Sequence, residues 1–180
     1  MMQRAALLRR EGTVSGKRYL VRPSQSEDAR ALADLRDSVA AEGEFIAAVP
    51  GEHSALEEEL AMTALVGEGG LSLTLEVDGA VTGHLMVRRR RGPRYSHSGE
   101  IAIIVHNTQR GLGFGRMMMQ MAIDWAGAVG VTKLGLGVFP ENGRAIRLYR
   151  SLGFEQEGVA RAEVRMPDGQ RDLLLMGLLL

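Results

Sequence analysis

Gln109-Arg110-Gly111-Leu112-Gly113-Phe114-Gly115-Arg116 is the stretch on which the fold turns. It follows Glu100-Ile101-Ala102-Ile103-Ile104-Val105, an almost wholly apolar run that reads as a central strand. It precedes an amphipathic helical pattern over 116–128. Closely spaced glycines between a buried strand and a helix let successive backbone N–H groups turn toward one point. The helix N-terminus adds partial positive charge, and Arg110 and Arg116 offer full charges. In chemical terms this is a pyrophosphate cradle. A Walker A loop needs Gly-Lys-Ser/Thr, and no lysine is present in this stretch. A dinucleotide fingerprint fails because the register from Gly111 reaches Gly113 and then Arg116.

Outward from the loop, the pattern alternates. A short strand over 19–22 is closed by Pro23. Ser26, Glu27 and Asp28 start a helix toward Ala40. A second helix is expected over 54–66, with Leu56, Leu60 and Leu65 inward and Glu57, Glu58 and Glu59 mainly on a solvated outer face. Strands over 71–77 and 81–87 flank Asp78-Gly79, a tight-turn signal. After the loop come a strand over 132–138, a helix capped by Asn142, and two closing strands around Pro167-Asp168-Gly169. The expected order is β-α-α-β-β-β-α-β-α-β-β.

Composition bounds the function. The chain has 180 residues, with 22 Lys+Arg against 22 Asp+Glu, no cysteine and four histidines. The charge balance argues against nucleic-acid or membrane binding. The missing cysteines exclude disulfides and thiolate chemistry and fit a cytoplasmic setting. No histidine pair has zinc spacing, so no metal is expected. Residues 1–17, with an Arg-rich start, read as an N-terminal tail in preference to a targeting leader, and 18–180 as one domain. Arg88-Arg89-Arg90-Arg91-Gly92-Pro93-Arg94 reads as a solvated hairpin end, in preference to a contact for a phosphate or an acidic partner. Met117, Met118, Met119 and Met121 read as helix packing.

The loop fits Arg-x-x-Gly-x-Gly (Arg110, Gly113, Gly115). A second segment, Asn142-Gly143-Arg144-Ala145-Ile146-Arg147-Leu148-Tyr149-Arg150-Ser151-Leu152-Gly153-Phe154, fits N-x-x-A-I-x-L-Y-x-x-L-G-F. Together they resemble the GNAT acetyltransferases. Within that superfamily the likeness is nearest to the branch of spermidine and ribosomal-protein N-terminal acetyltransferases. Gly135 departs from the branch, where a larger residue is expected, and this bears on the acceptor and not on the fold.

The resemblance implies an α/β domain with a mixed, mostly antiparallel sheet, a splayed parallel strand pair and flanking helices. It implies acetyl-CoA as co-substrate and a primary amine as acceptor: a small molecule, a polyamine-like compound or a protein N-terminus. A homodimer is compatible with it. The cofactor would meet Ile103, Ile104, Val105, Arg110, Gly111, Leu112, Gly113, Phe114, Gly115, Arg116 and Asn142. Backbone N–H groups of Ile103, Ile104 and Val105 would serve the pantetheine arm and the thioester oxygen. Tyr149 would be the acid for the departing thiol, and Glu100 the base. A base is needed because an amine of pKa about 10.4 is neutral in only roughly one molecule per thousand at pH 7.4. A non-catalytic acyl-CoA sensor, which would need neither Tyr149 nor Glu100, is the rival reading.

Overall fold

Alternating apolar residues along the strands leave the sheet with two faces to cover, and the helices divide between them. A computed structural model describes residues 8–180. Its strands are β1 (Arg10–Val14), β2 (Lys17–Pro23), β3 (Leu71–Val77), β4 (Ala80–Arg89), β5 (Ser98–Val105), β6 (Lys133–Val138), β7 (Glu155–Met166) and β8 (Gly169–Leu179). The helices of three turns or so are α1 (Ala29–Ala40), α2 (Ala55–Gly67), α3 (Phe114–Ala128) and α4 (Gly143–Ser151). One eight-stranded sheet runs β1-β2-β3-β4-β5-β6-β8-β7, antiparallel throughout except for β5 beside β6. The mixed sheet and its single parallel pair are those expected.

Two differences stand out. Residues 10–14, expected inside a tail reaching 17, form β1 and pair in register with β2. Polar Arg10, Glu11 and Thr13 hide the signal, because an edge strand has little apolar face to show. The leader reading of residues 1–7 falls outside the described residues. In α2, Leu56 and Leu60 are 63% and 60% exposed, while Glu58 is only 1% exposed and Met62 and Leu65 face inward. The helix is rolled because Glu58 pairs with Arg36 of α1 at 2.6 Å. Ser54 caps α2, accepting from the Glu57 N–H while the Glu57 side chain reaches back to Ser54.

The Asp78-Gly79 turn behaves as read, both residues taking positive φ (51° and 82°) between β3 and β4. The main core joins the sheet to α3 through Met118, Met119, Met121, Ala122 and Trp125. Beneath α1 and α2 lies a smaller apolar cluster around Leu32, Leu35 and Met62. It sits beside a polar network: Arg22 forks onto Asp28, Asp28 accepts from Thr74, and Ser24 links Thr74 to Ser72, which meets His84. None of the described helices is long and apolar enough to cross a membrane.

Candidate functional site

β5 is hydrogen-bonded to β4 over 99–105, yet it pairs with β6 only at three positions, 98–100 against 133–135. Beyond Glu100 and Gly135 the two strands part, and β6 stays with β8. The opening between them is a cleft of about 1290 Å³.

Main-chain direction alternates along β5. The Arg90 N–H donates to the Ser98 carbonyl, and the His106 N–H donates to the Thr82 carbonyl, so even-numbered residues address β4. Odd-numbered Ile103 and Val105 therefore turn their N–H groups into the gap. Ile104, expected beside them, directs its main chain to His84 in β4, and its side chain packs with the α1 cluster. Two donors, not three, are available.

The glycine loop follows. Gly113 holds φ 88° as the residue before α3, and a Cβ there would meet nothing within 4 Å, so the approach to the helix N-terminus is open. The N–H groups of the first turn of α3 have no intrahelical acceptors, and no side chain caps them. Gly111, Gly113 and Gly115 line the cleft; Leu112 does not, and packs against the core. Phe114 is buried with its ring edge-on to Tyr19.

The two predicted arginines are engaged differently. Arg110 forks onto Glu42, donates from Nε to the Val105 carbonyl at 2.9 Å and lies over the Phe45 ring. Its charge is committed to holding the loop to the end of β5. Arg116 is exposed and donates to Ser151 Oγ. Arg144, not singled out from the sequence, lines the cleft with no ion-pair partner among the described residues, and its guanidinium stands 3.6 Å from where a Cβ on Gly111 would lie.

Asn142 caps α4 through Oδ1, which accepts from the Ala145 N–H at 3.1 Å, and the residue lines the cleft. Two turns on, Tyr149 lies 8% exposed against Phe154, 6.0 Å between ring centres. Burial pushes its phenol up to about 12, so it stays protonated at neutral pH. The hydroxyl has no hydrogen-bond partner among the described residues. Glu100 is exposed on β5 at the point where the strands part. Tyr149 and Glu100 thus line one cleft with the open N–H groups and the glycine loop.

Reasoning from sequence missed Glu42, the partner of Arg110, and the Phe45, Ile46, Ala47 segment that lines the cleft. They lie in an irregular connection after α1, where no periodicity marks a residue. Among the described residues no group of three or more metal-ligating side chains comes together.

A model of the acetyltransferase (GNAT) family matches residues 32–154. The L-amino acid N-acetyltransferase AaaT of Escherichia coli (strain K12) is 34% identical over 89 residues, 47% of this chain and 53% of that protein. The ribosomal protein bS18-alanine N-acetyltransferase of the same organism is 38% identical over 66 residues, 37% of this chain and 45% of that one. The chain thus spans about half the length of the curated relatives it matches. A solved phosphinothricin acetyltransferase from Sinorhizobium meliloti, in complex with AcCoA, shares the fold with a TM-score of 0.81 at 22% identity, covering 89% of this chain and 87% of that one.

Proposed function

This chain belongs to the acetyltransferase (GNAT) family, and from that premise we propose that it moves the acetyl group of acetyl-CoA onto a primary amine by direct attack in a ternary complex. The parting of β5 from β6 above an uncapped, glycine-flanked helix N-terminus carries the reading. It provides an anion cradle and a slot with free amide donors in one continuous cleft. The fold likeness to an acetyltransferase in complex with AcCoA supports the choice of co-substrate.

Acetyl-CoA supplies an activated acetyl thioester; the chain supplies the rest. The N–H groups around Gly113 and the first turn of α3, with Arg144, hold the pyrophosphate. The N–H groups of Ile103 and Val105 orient the acyl arm, and they stabilise the carbonyl oxygen as negative charge grows on it. Glu100 takes the proton from the ammonium, directly or through one water, so that the neutral amine can attack. Tyr149, protonated and without a competing partner, delivers a proton to the sulfur as the C–S bond breaks.

Acetyl-CoA at a hundred times its Kd should raise the melting temperature by about 5–10 °C, while NAD and ATP do not. Release of free thiol on adding amines should follow. No thermal shift at millimolar acetyl-CoA would overturn the proposal.

A further inference from the structure

Four consecutive arginines close β4 and its exit, and the strand sorts them. Side chains alternate along an extended chain, so Arg88 and Arg90 share one face and Arg89 and Arg91 the other. The second pair is occupied: Arg89 donates to the Ser96 carbonyl, and Arg91 pairs with Glu68. The guanidinium groups of Arg88, Arg90 and Arg94 have no hydrogen-bond or carboxylate partner among the described residues. All three line the main cleft.

Their position is specific. Arg88 is the cross-strand partner of Glu100. By the alternation along β5 the two form a hydrogen-bonded pair, whose Cα atoms lie about 5.5 Å apart with side chains on the same face. Arg90 lies one step further out, its guanidinium 4.9 Å from the centre of the Tyr95 ring. The apolar part of this wall is Phe45, Ile46 and Met86. It stands on the α1 side of β5, away from the loop and Arg144 that hold the pyrophosphate. The opposite wall adds little negative charge: Glu157 is bridged to Lys133 at 2.7 Å, which leaves Glu163 as its one carboxylate without a partner among the described residues.

We infer that Arg88, Arg90 and Arg94 form an anion subsite for the acceptor, and that the acceptor is a small amine carrying its own carboxylate, an amino acid. This rests on the acetyltransferase reading and names its acceptor class. A guanidinium beside the base binds the carboxylate of an amino acid whose amine reaches Glu100. A polyamine would bring two or more further cations against three unpaired arginines and lose affinity by the same electrostatics. An apolar side chain on the acceptor finds Phe45, Ile46 and Met86.

The test is steady-state kinetics of the full chain, following thiol release with acetyl-CoA. The acceptors are alanine, methionine and phenylalanine, their carboxamides, and spermidine. Each carboxamide keeps the side chain and replaces the carboxylate by a neutral group. Its amine is also less basic, so more of it is unprotonated at neutral pH, and a preference for the free amino acid would run against that bias. Free amino acids should exceed their amides by at least about tenfold in kcat/KM, and spermidine should be the poorest acceptor. Arg88→Gln should raise KM for the amino acid by roughly ten- to a hundredfold. It should leave KM for the amide and for acetyl-CoA within about twofold. The Arg88 side chain is exposed and makes no hydrogen bond among the described residues, so the variant should keep its fold; Arg94→Gln, in the turn, repeats the comparison independently. Equal use of acids and amides, preference for spermidine, or an equal rise in KM for acid and amide would overturn the subsite while leaving the acetyltransferase reading standing. Absence of thiol release with every amine, together with no thermal shift from acetyl-CoA, would overturn both.

Discussion

The guanidinium of Arg110 forks onto the carboxylate of Glu42, Nη1 to Oε2 at 2.6 Å and Nη2 to Oε1 at 2.7 Å. Both side chains are one-fifth exposed, and the Arg110 Nε holds the Val105 carbonyl. One residue of the glycine-loop motif is therefore a brace joining the end of β5 to the chain beyond α1. A double-mutant cycle with Arg110→Gln and Glu42→Gln should give a coupling of about 1–2 kcal/mol in urea unfolding. CoA binding separates brace from ligand. Were Arg110 a phosphate ligand, Glu42→Gln would release it and tighten binding. As a brace, its loss frees Val105 to shift, and Kd for CoA should rise about two- to tenfold.

The loop itself is tested at Gly113. Its φ of 88° disfavours any side chain, but the space beside it is open. Gly113→Ala should therefore cost about 1–2 kcal/mol of stability from backbone strain alone, with a small effect on CoA. Gly113→Asp adds a negative charge where phosphate oxygens must approach N–H groups, and should weaken CoA binding by more than tenfold beyond the alanine variant. Calorimetric titration of both variants checks this, and equal affinities for CoA would remove the loop from the site.

Tyr149→Phe removes a hydroxyl that bonds to nothing among the described residues, so melting temperature and acetyl-CoA affinity should barely change. If proton delivery to sulfur matters, kcat should fall by roughly ten- to a thousandfold, water replacing part of the function. Since burial holds the phenol near 12, no fall in kcat below about pH 11 should arise from its ionisation. A wild-type alkaline limb that disappears in the variant would contradict that assignment, and full activity would return Tyr149 to packing.

Much of this was legible because local chemistry dictated it. The glycine loop, the Asn142 cap and the Asp78-Gly79 turn each rest on a few neighbouring residues, and each stands where the pattern put it. The alternation of Leu134, Leu136 and Val138 likewise gave a buried face. What stayed hidden depends on partners distant in sequence. Glu58 looks like one of three solvated glutamates until Arg36, 22 positions earlier, takes it inward. Arg110 has a carboxylate partner that no local pattern marks, Glu42, 68 positions away. Ile104 fails as a donor for a local reason: strand alternation turns every second N–H toward β4, and which parity faces the gap is set by register.

The network under α1 and α2 makes stability depend on acid. His84 is buried, its Nε2 2.9 Å from Ser72 Oγ and its Nδ1 3.9 Å from Glu58. Burial, then the charge of Arg36, lower its pKa from 6.5 to about 4, against an opposing pull from Asp28. The folded chain therefore holds this imidazole neutral over a range in which the unfolded chain takes up a proton. Stability from this source is present above about pH 6.5 and is lost as pH falls toward 4. Asp28 also has a lowered pKa: burial pushes it up, but the bonds from Arg22 outweigh that. Its contribution is lost mainly below the ordinary carboxylate value of 3.8, so between pH 7.0 and 4.5 Asp28 changes little, and comparison with a variant lacking the imidazole reports on His84. Between those two values the wild type should lose roughly 2 kcal/mol of unfolding free energy from this group. His84→Gln keeps a partner for Ser72 without a titrating ring, and its loss over the same interval should be smaller by about that amount. Urea unfolding at both pH values measures the difference, and parallel losses in the two proteins would show that His84 does not carry the acid sensitivity.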